Sequence, residues 1–324
     1  MKLQLSNIKA RTVLLTLLVI AFACAAAVAQ MQTQLLLAST PPAKEQAKGF
    51  TTPQLAADAL IKAAETYDVP ALLEIFGPEG KDLVSSADPV RDKSRAQEFV
   101  EKAHEKNVVQ VTNMRATLLV GNEDWPVPIP LLKKQGKWYF DTTTGRKEIL
   151  FRRIGSNELD AIRICRGFVE AQKQYSSTIH DNSGVHQYAQ RIISTPGKQD
   201  GLFWQNEDGS PGGPISKGIA QAIEEGYSTA SPSPYHGYVF KVLKGQGPAA
   251  HLGKLDFVVK GAMIGGFALV AVPAEYRVTG VKTFIVSHDG VVYQKDLGPD
   301  SLKIVKEMEL FNPDKGWEPT NDEM

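Results

Sequence analysis

The sequence predicts an α+β protein made of two domains. The chain has 324 residues, which suits two domains better than one. Apolar residues recur first at helical spacing and then at strand spacing, and this order occurs twice along the chain. An apolar content of 43% and a charged content of 22% are typical of globular proteins, which excludes wholesale disorder.

Residues 1–29 have the pattern of a secretory signal peptide. Three basic residues, Lys2, Lys9 and Arg11, precede a mostly apolar stretch at 13–23, and Ala27-Val28-Ala29 offers a small-residue cleavage site. We therefore expect an exported protein, periplasmic or secreted, in which residues 30–49 form a flexible leader.

Cysteine usage leaves the mature chain with one thiol. Cys24 lies inside the predicted signal peptide, so Cys165 has no partner for an internal disulfide. Cys24 also permits an alternative, a lipoprotein anchored through this residue. Ala21 stands where lipid-attachment sites usually carry leucine, and we therefore prefer the unanchored form.

The charge of the chain excludes two classes of partner. The 36 basic and 36 acidic side chains balance, and loss of the signal peptide leaves a net charge of about −3. A mildly acidic protein has no basic surface for nucleic acid or for an anionic membrane. No later stretch reaches the ~18 apolar residues of a membrane span, so we expect no transmembrane segment after signal removal.

We predict that the first domain comprises residues 50–154 and places helices before an antiparallel meander. Pro53 suits a first helical position, and Gly136 suits the turn of a hairpin. A curved sheet wrapped on helices, as in the nuclear-transport-factor-like or cystatin-like superfolds, fits this order, as a fold-level analogy only. The predicted helices are 53–67, 70–76 and 91–105, and the predicted strands are 108–111, 116–120, 127–133 and 137–141.

A charged joint at 146–155 leads into the second domain, predicted at residues 155–324. Ser156 is a suitable N-cap for a long helix that ends near Tyr175. Cys165 and Gln172 share an inward face of that helix, so Cys165 is predicted to be a core thiol. A loop-rich middle with a short helix at 215–225 follows, and then strands at 237–244, 255–260, 265–276, 281–287 and 291–296 and a helix at 301–311.

Asp289-Gly290 lies between the last two strand-like runs and predicts a hairpin. A type I′ turn needs positive φ at both central residues, which this dipeptide tolerates.

The sequence contains no recognisable catalytic or metal-binding motif. The six histidines show no metal-ligand spacing, and Ser210 does not lie in the GxSxG motif of a hydrolase. We predict no catalytic residue, no metal and no cofactor. Two alternatives to plain solvated loops stay open, a site made by His180-Asp181 with His186 and a calcium site at 206–208.

Two tryptophans and three arginines are the candidate binding residues. Trp125 and Trp138 are predicted to line a concave face of the first sheet, with core packing as the alternative for Trp138. Arg146, Arg152 and Arg153 belong to the charged joint. An ion-pair cluster between the domains, formed with the glutamates at 148 and 158, is the preferred interpretation, and an anion site is the alternative.

Four runs of sequence resemble an uncharacterised bacterial family catalogued as domain of unknown function 2950. The resemblance covers nearly all of the mature chain, implies an exported bacterial protein and supplies no activity. The four runs are Trp125 to Pro130, Gly145 to Leu150, Arg152 to Leu159 and Val291 to Gly298.

The C-terminal half is also similar to the globular heads of type IV pilins and pseudopilins. Those proteins assemble through an apolar N-terminal helix, whose place is taken here by the first domain, so assembly by that route is not expected. The similarity follows the order of Asn157-Glu158, Ala171-Gln172, Tyr175, Tyr238 to Phe240, Phe267 to Val272, Thr283 to Val286 and Asp289-Gly290.

Three functions are compatible with the sequence. The first is an envelope protein-interaction or scaffolding module that uses a sheet edge or a loop face. The second is a small-molecule or glycan-binding protein that uses the concave first domain, and the third is an unrecognised hydrolase. A pocket with convergent polar groups favours the second or third, whereas a bare sheet edge favours the first.

Overall fold

A computed structural model describes residues 47–85, 89–181, 184–216, 220 and 236–321. The predicted signal peptide, the leader up to residue 46 and most of the predicted helix at 215–225 lie outside these residues. Backbone contacts divide the chain into two compact units, Met1–Arg146 and Lys147–Met324. The described helices and antiparallel sheets confirm the α+β class, whereas the exact domain limits and the likeness to particular superfolds stay predictions.

Two of the helices described in the first unit begin at side-chain caps. The hydroxyl of Thr52 accepts the N–H of Leu55 at 3.2 Å, and Pro53 takes the first helical position. Asp68 caps the next helix by accepting the N–H of Ala71 at 3.0 Å. The helices are α1 (Pro53–Glu65), α2 (Val69–Phe76), α3 (Lys81–Val84) and α4 (Pro89–Glu105), with a 3-10 turn at Pro78–Gly80.

The sheet of the first unit is antiparallel throughout, in the order β1-β2-β4-β5, with β3 also paired to β2. Gln135 and Gly136 both have positive φ, 51° and 80°, in the turn between the last two strands, as predicted for Gly136. Alternate residues of β2, including Leu118, are buried in the core that the helices share. The strands are β1 (Asn107–Thr112), β2 (Arg115–Val120), β3 (Trp125–Pro126), β4 (Leu131–Lys134) and β5 (Lys137–Phe140).

The longest described helix, α5 (Thr142–Ser176), corrects the prediction of a joint at 146–155, because that stretch is helical. The helix begins at Thr142 and not at Ser156. Its cap is Asp141, whose carboxylate accepts the N–H of Thr144 at 3.2 Å and the hydroxyl of the same residue at 2.6 Å.

The second unit is built on a five-stranded antiparallel sheet in the order β18-β16-β15-β14-β9. Strands β14 and β15 are buried along their whole length, and β14 overlaps the continuous apolar run from Phe267 to Val272. Cys165 and Gln172 of α5 are fully buried, which confirms their predicted inward face. The strands of this sheet are β9 (Tyr238–Leu243), β14 (Ala268–Pro273), β15 (Thr283–Ser287), β16 (Val292–Lys295) and β18 (Glu318–Pro319).

Several short strands surround this sheet. Among them, β6 and β7 pair in parallel, β7 and β8 pair antiparallel, and β12 and β13 form a hairpin. Strand β10 pairs antiparallel with β11 and in parallel with β17. They are β6 (Arg191–Ile193), β7 (Gly201–Gln205), β8 (Pro211–Gly212), β10 (Gly245–Gln246), β11 (Leu255–Asp256), β12 (Val258–Val259), β13 (Ala262–Met263) and β17 (Leu310–Phe311).

The hairpin predicted at Asp289-Gly290 joins β15 to β16, but its turn is not of type I′. Only Gly290 has positive φ, at 81°, and its N–H donates to the carbonyl of Ser287 at 2.9 Å. The chain therefore turns over Ser287 to Gly290 and places the glycine in the left-handed region, a common arrangement for longer hairpin loops.

The last described helix, α6 (Ser301–Glu307), is shorter than predicted because Leu310 and Phe311 form a strand. A buried lysine of β9, Lys241, lies at the C-terminal end of this helix. The ammonium of Lys241 donates to the carbonyl of Lys306 at 2.9 Å and to the carboxylate of Glu309 at 3.1 Å. A positive charge at this point satisfies carbonyls that the helix leaves without a partner.

Candidate binding sites

The structure places the two predicted tryptophans in different environments. Trp138 is buried in the core of the first unit and pairs through its backbone with Phe50. Trp125 is exposed on β3. The core interpretation of Trp138 therefore holds, and of the two indoles only that of Trp125 is accessible to a ligand.

The three predicted arginines do not form one cluster. Arg146 donates from two nitrogens to the two oxygens of Asp82, both at 2.7 Å, and these bonds lower the pKa of Asp82. Arg152 pairs with Glu148 at 2.8 Å, one helical turn away, as predicted. Arg153 is exposed. Each of the two ion pairs lies within a single unit.

Asn157 and Glu158 form an anchor within the second unit. One oxygen of Glu158 accepts the N–H groups of Val281 and Lys282, at 2.9 and 3.0 Å. The amide of Asn157 donates to the carbonyl of Thr279 at 2.8 Å. Glu158 thus holds the segment that leads into β15 and does not join the arginines, which corrects the expected ion pairing.

Strand β1 forms an exposed edge of the first sheet, which we call the β1 edge (Asn107–Thr112). In the described part of the chain it pairs with β2 on one side and with no strand on the other. Val108 is 43% exposed and Val111 is 52% exposed, on opposite faces. The strand contains no charged residue and no proline, the devices that normally protect an edge.

A polar cavity of about 730 Å³ lies in the second unit, and we call it the Tyr175 pocket. The C-terminal end of α5, the residues before β6 and the turn before β7 form its walls, and the β12–β13 hairpin reaches it through Gly261. Its volume falls in the ~300–1,000 Å³ range of small-molecule sites.

Stacked rings fix one wall of the pocket. The ring of His180 stacks on that of Tyr175 with centroids 4.0 Å apart, and the edge of Trp204 meets His180 at 5.3 Å. The Tyr175 hydroxyl donates to the carbonyl of Gln199. Burial raises the pKa of Tyr175 to about 12, and the negative charges of Asp200 and Asp181 add to this effect, so the phenol remains a donor.

Side-chain amides hold other residues at and beside the pocket in place. The fully buried amide of Gln172 donates to the carbonyl of Ala189 and accepts its N–H, both at 2.8 Å. Gln190 donates to the carbonyl of Gly261 at 2.7 Å, and Gln187 donates to the carboxylate of Asp181 at 2.6 Å. These bonds fix the polar groups around the cavity.

One comparison with known proteins assigns the chain to a family. The family model described as protein of unknown function (DUF2950) matches residues 47–320. The chain belongs to this family. The resemblance inferred from the four sequence runs is thus confirmed for DUF2950, whereas the likeness to pilin heads stays a prediction. No curated protein and no solved structure matches the DUF2950 chain significantly.

In this DUF2950 protein, the predicted loop site is realised in part. His180 and Asp181 line the Tyr175 pocket, but His186 instead points Nδ1 at the carbonyl of Ser176, 2.8 Å away. At residues 206–208, where a calcium site was the alternative to a solvated loop, the carboxylate of Asp208 accepts the N–H and hydroxyl of Ser210. The described residues contain no group of three or more potential metal ligands.

The described residues of this DUF2950 chain also include no helix of sufficient length and apolarity to span a membrane.

Proposed function

We propose that this DUF2950 protein is exported to the bacterial envelope and acts as a protein-interaction module, in which the β1 edge pairs with the β1 edge of a second copy. The observation that carries the proposal is the uncharged six-residue edge strand, exposed on both faces. The signal-peptide pattern of residues 1–29 supports the location. The proposal includes no enzymatic step.

The backbone of β1 has groups available for pairing. Two residues join β1 to β2, so the closing pair Thr112 and Arg115 is hydrogen-bonded across the hairpin. Alternate residues of an antiparallel strand bond to opposite sides. The N–H and C=O groups of Asn107, Val109 and Val111 therefore point away from β2, towards a further strand.

The side chains of β1 favour pairing with a second β1. In an antiparallel register centred on Gln110, Val109 lies opposite Val111 of the second copy, and Val108 lies opposite its Thr112. Residues that face each other in this register share a face of the extended sheet, and cross-strand pairs of β-branched residues are favourable. No like charges meet within the strand, because β1 has none.

A contact of six residues per copy gives a weak, concentration-dependent dimer. Sedimentation velocity on the mature-length chain, from low micromolar to near-millimolar concentration, tests it. Val111→Lys places one lysine of each copy at the β1 edge. We expect it to raise the dissociation constant of the dimer at least tenfold, which corresponds to about 1.4 kcal/mol of binding free energy. The side chain is exposed in the monomer, so the fold tolerates the change.

Val259→Lys is the matched control, because Val259 is 42% exposed on strand β12 of the other unit. It should associate as the unmodified chain does. A chain that stays monomeric at every concentration, or a Val111→Lys variant that dimerises normally, contradicts the proposal.

Ligand binding is the second candidate function. The Tyr175 pocket favours it, in place of the predicted concave face with Trp125 and Trp138, because Trp138 is enclosed in the core.

A further inference from the structure

We infer that the Tyr175 pocket binds a neutral, polyhydroxylated ligand, namely a short carbohydrate. The pocket lies in the second unit and the β1 edge in the first, so this inference does not depend on the proposed self-association. Four properties of the described residues support it: charge, polarity, fixed side chains and an aromatic surface.

The charges around the pocket favour a neutral ligand. Asp181, Asp200 and Lys198 line the cavity. Arg191 lies 3.8 Å from the carboxylate of Asp200, which offsets part of its charge. Two carboxylates near two cations give no strong field of either sign, whereas phosphate or carboxylate ligands are usually bound by clustered cations.

The mixture of hydrogen-bond donors and acceptors among the lining side chains favours a ligand that carries hydroxyl groups. A hydroxyl both donates and accepts, so a polyol needs acceptors and donors close together. Carboxylates supply acceptors only, whereas amides such as those of Gln187, Gln190 and Gln199 supply both. A purely apolar ligand would displace water from the remaining donors and acceptors of these groups without replacing its hydrogen bonds, at a cost in affinity.

The polar groups are held in place before any ligand arrives. Asp200 accepts the N–H of Thr195 at 2.7 Å and its hydroxyl at 2.8 Å. Asp181 is bonded to Gln187, and Gln190 to Gly261. Fixed side chains lose little conformational entropy on binding, which raises the affinity available to a small polar ligand.

An aromatic surface completes the pocket. Tyr188 is half-buried in the wall, and its ring is held edge-on against Phe267 with centroids 4.8 Å apart. A sugar ring has apolar C–H faces as well as hydroxyls, and an aromatic ring with a polar tip contacts both.

Isothermal titration calorimetry of the mature-length chain against three neutral trisaccharides, chitotriose, maltotriose and cellotriose, tests the inference. We expect saturable binding of at least one of them. Asp181→Ala and Gln190→Ala each remove a polar group of the wall and should weaken that binding at least tenfold. Asp256→Ala, at an exposed aspartate of β11 outside the pocket, should leave it unchanged.

Trp204 provides a second measurement, because its ring contacts both His180 and Tyr175. The tryptophan fluorescence of the chain, to which Trp204 contributes, should change over the same range of sugar concentration as the heat of binding. Absence of binding by all three sugars, or binding that both wall variants retain, overturns the inference. Binding of a neutral peptide that these variants abolish also overturns it, since the ligand class would then be wrong. The Val111→Lys variant should bind sugar normally, which separates this test from that of self-association.

Discussion

Removal of the Glu158 carboxylate should destabilise the second unit. In Glu158→Ala the N–H groups of Val281 and Lys282 lose their shared acceptor. A buried donor left without a partner costs about 1–3 kcal/mol, and because these amides are only partly buried we expect roughly 2 kcal/mol in total. Glu158→Gln keeps an oxygen in place but loses the charge, so its cost should be about half as large.

The buried thiol of Cys165 reports on this unit alone, because it lies in the core of the second unit. Alkylation of Cys165 as a function of urea measures the free energy of opening in each variant. Glu170→Ala, at an exposed glutamate of the same helix, is the control. If Glu158→Ala changes the opening free energy no more than Glu170→Ala does, the two bonds do not anchor the segment before β15.

Three further outcomes follow from single side chains. Lys241→Met should destabilise the second unit by about 2 kcal/mol in urea unfolding, since the bonds of Lys241 at the end of α6 are charge-assisted. The control Lys244→Met, at an exposed lysine, should change the free energy of unfolding very little. Equal losses in the two variants would contradict the capping of α6 by Lys241. Arg146→Ala should cost about 0.5–1 kcal/mol at neutral pH, as expected for an exposed pair. Arg146 also donates to the carbonyl of Glu79, and acid does not remove that bond. Because Arg146 lowers the pKa of Asp82, the part of the difference that comes from the ion pair should be lost as the pH falls through the folded-state pKa of Asp82, and a difference that does not decrease in acid would refute the assignment. Burial raises the pKa of Cys165 to about 12, so native-state alkylation at pH 9 should remain far slower than that of an exposed thiol.

Local signals predicted much of the secondary structure. Pro53 after a threonine marked the start of α1, and Gly136 marked the hairpin between β4 and β5. The start of α5 was missed because three threonines and a glycine follow Asp141, and these residues have low helix propensity. The side chain of Asp141 caps the helix, and packing against Ile129 leaves no room for a side chain at Gly145.

The candidate sites could be predicted only in part. The β1 edge is readable in the sequence as an uncharged run, but its position at the side of the sheet depends on strand order. The Tyr175 pocket gathers residues from Tyr175 to Gly261, and their proximity is a property of the fold. His180-Asp181 was a usable local signal, whereas Gln187 and Gln199 carried none because isolated glutamines are common on surfaces.

The side-chain amide of Gln172 bonds both the N–H and the carbonyl of Ala189, as a neighbouring β-strand would. An ionised glutamate at this position would offer no donor to the carbonyl, and leucine would offer neither donor nor acceptor. Because Gln172 is fully enclosed, water cannot replace what is lost. A homologue that changes Gln172 must therefore satisfy the N–H and the carbonyl of residue 189 in another way, whichever side chain stands at 189.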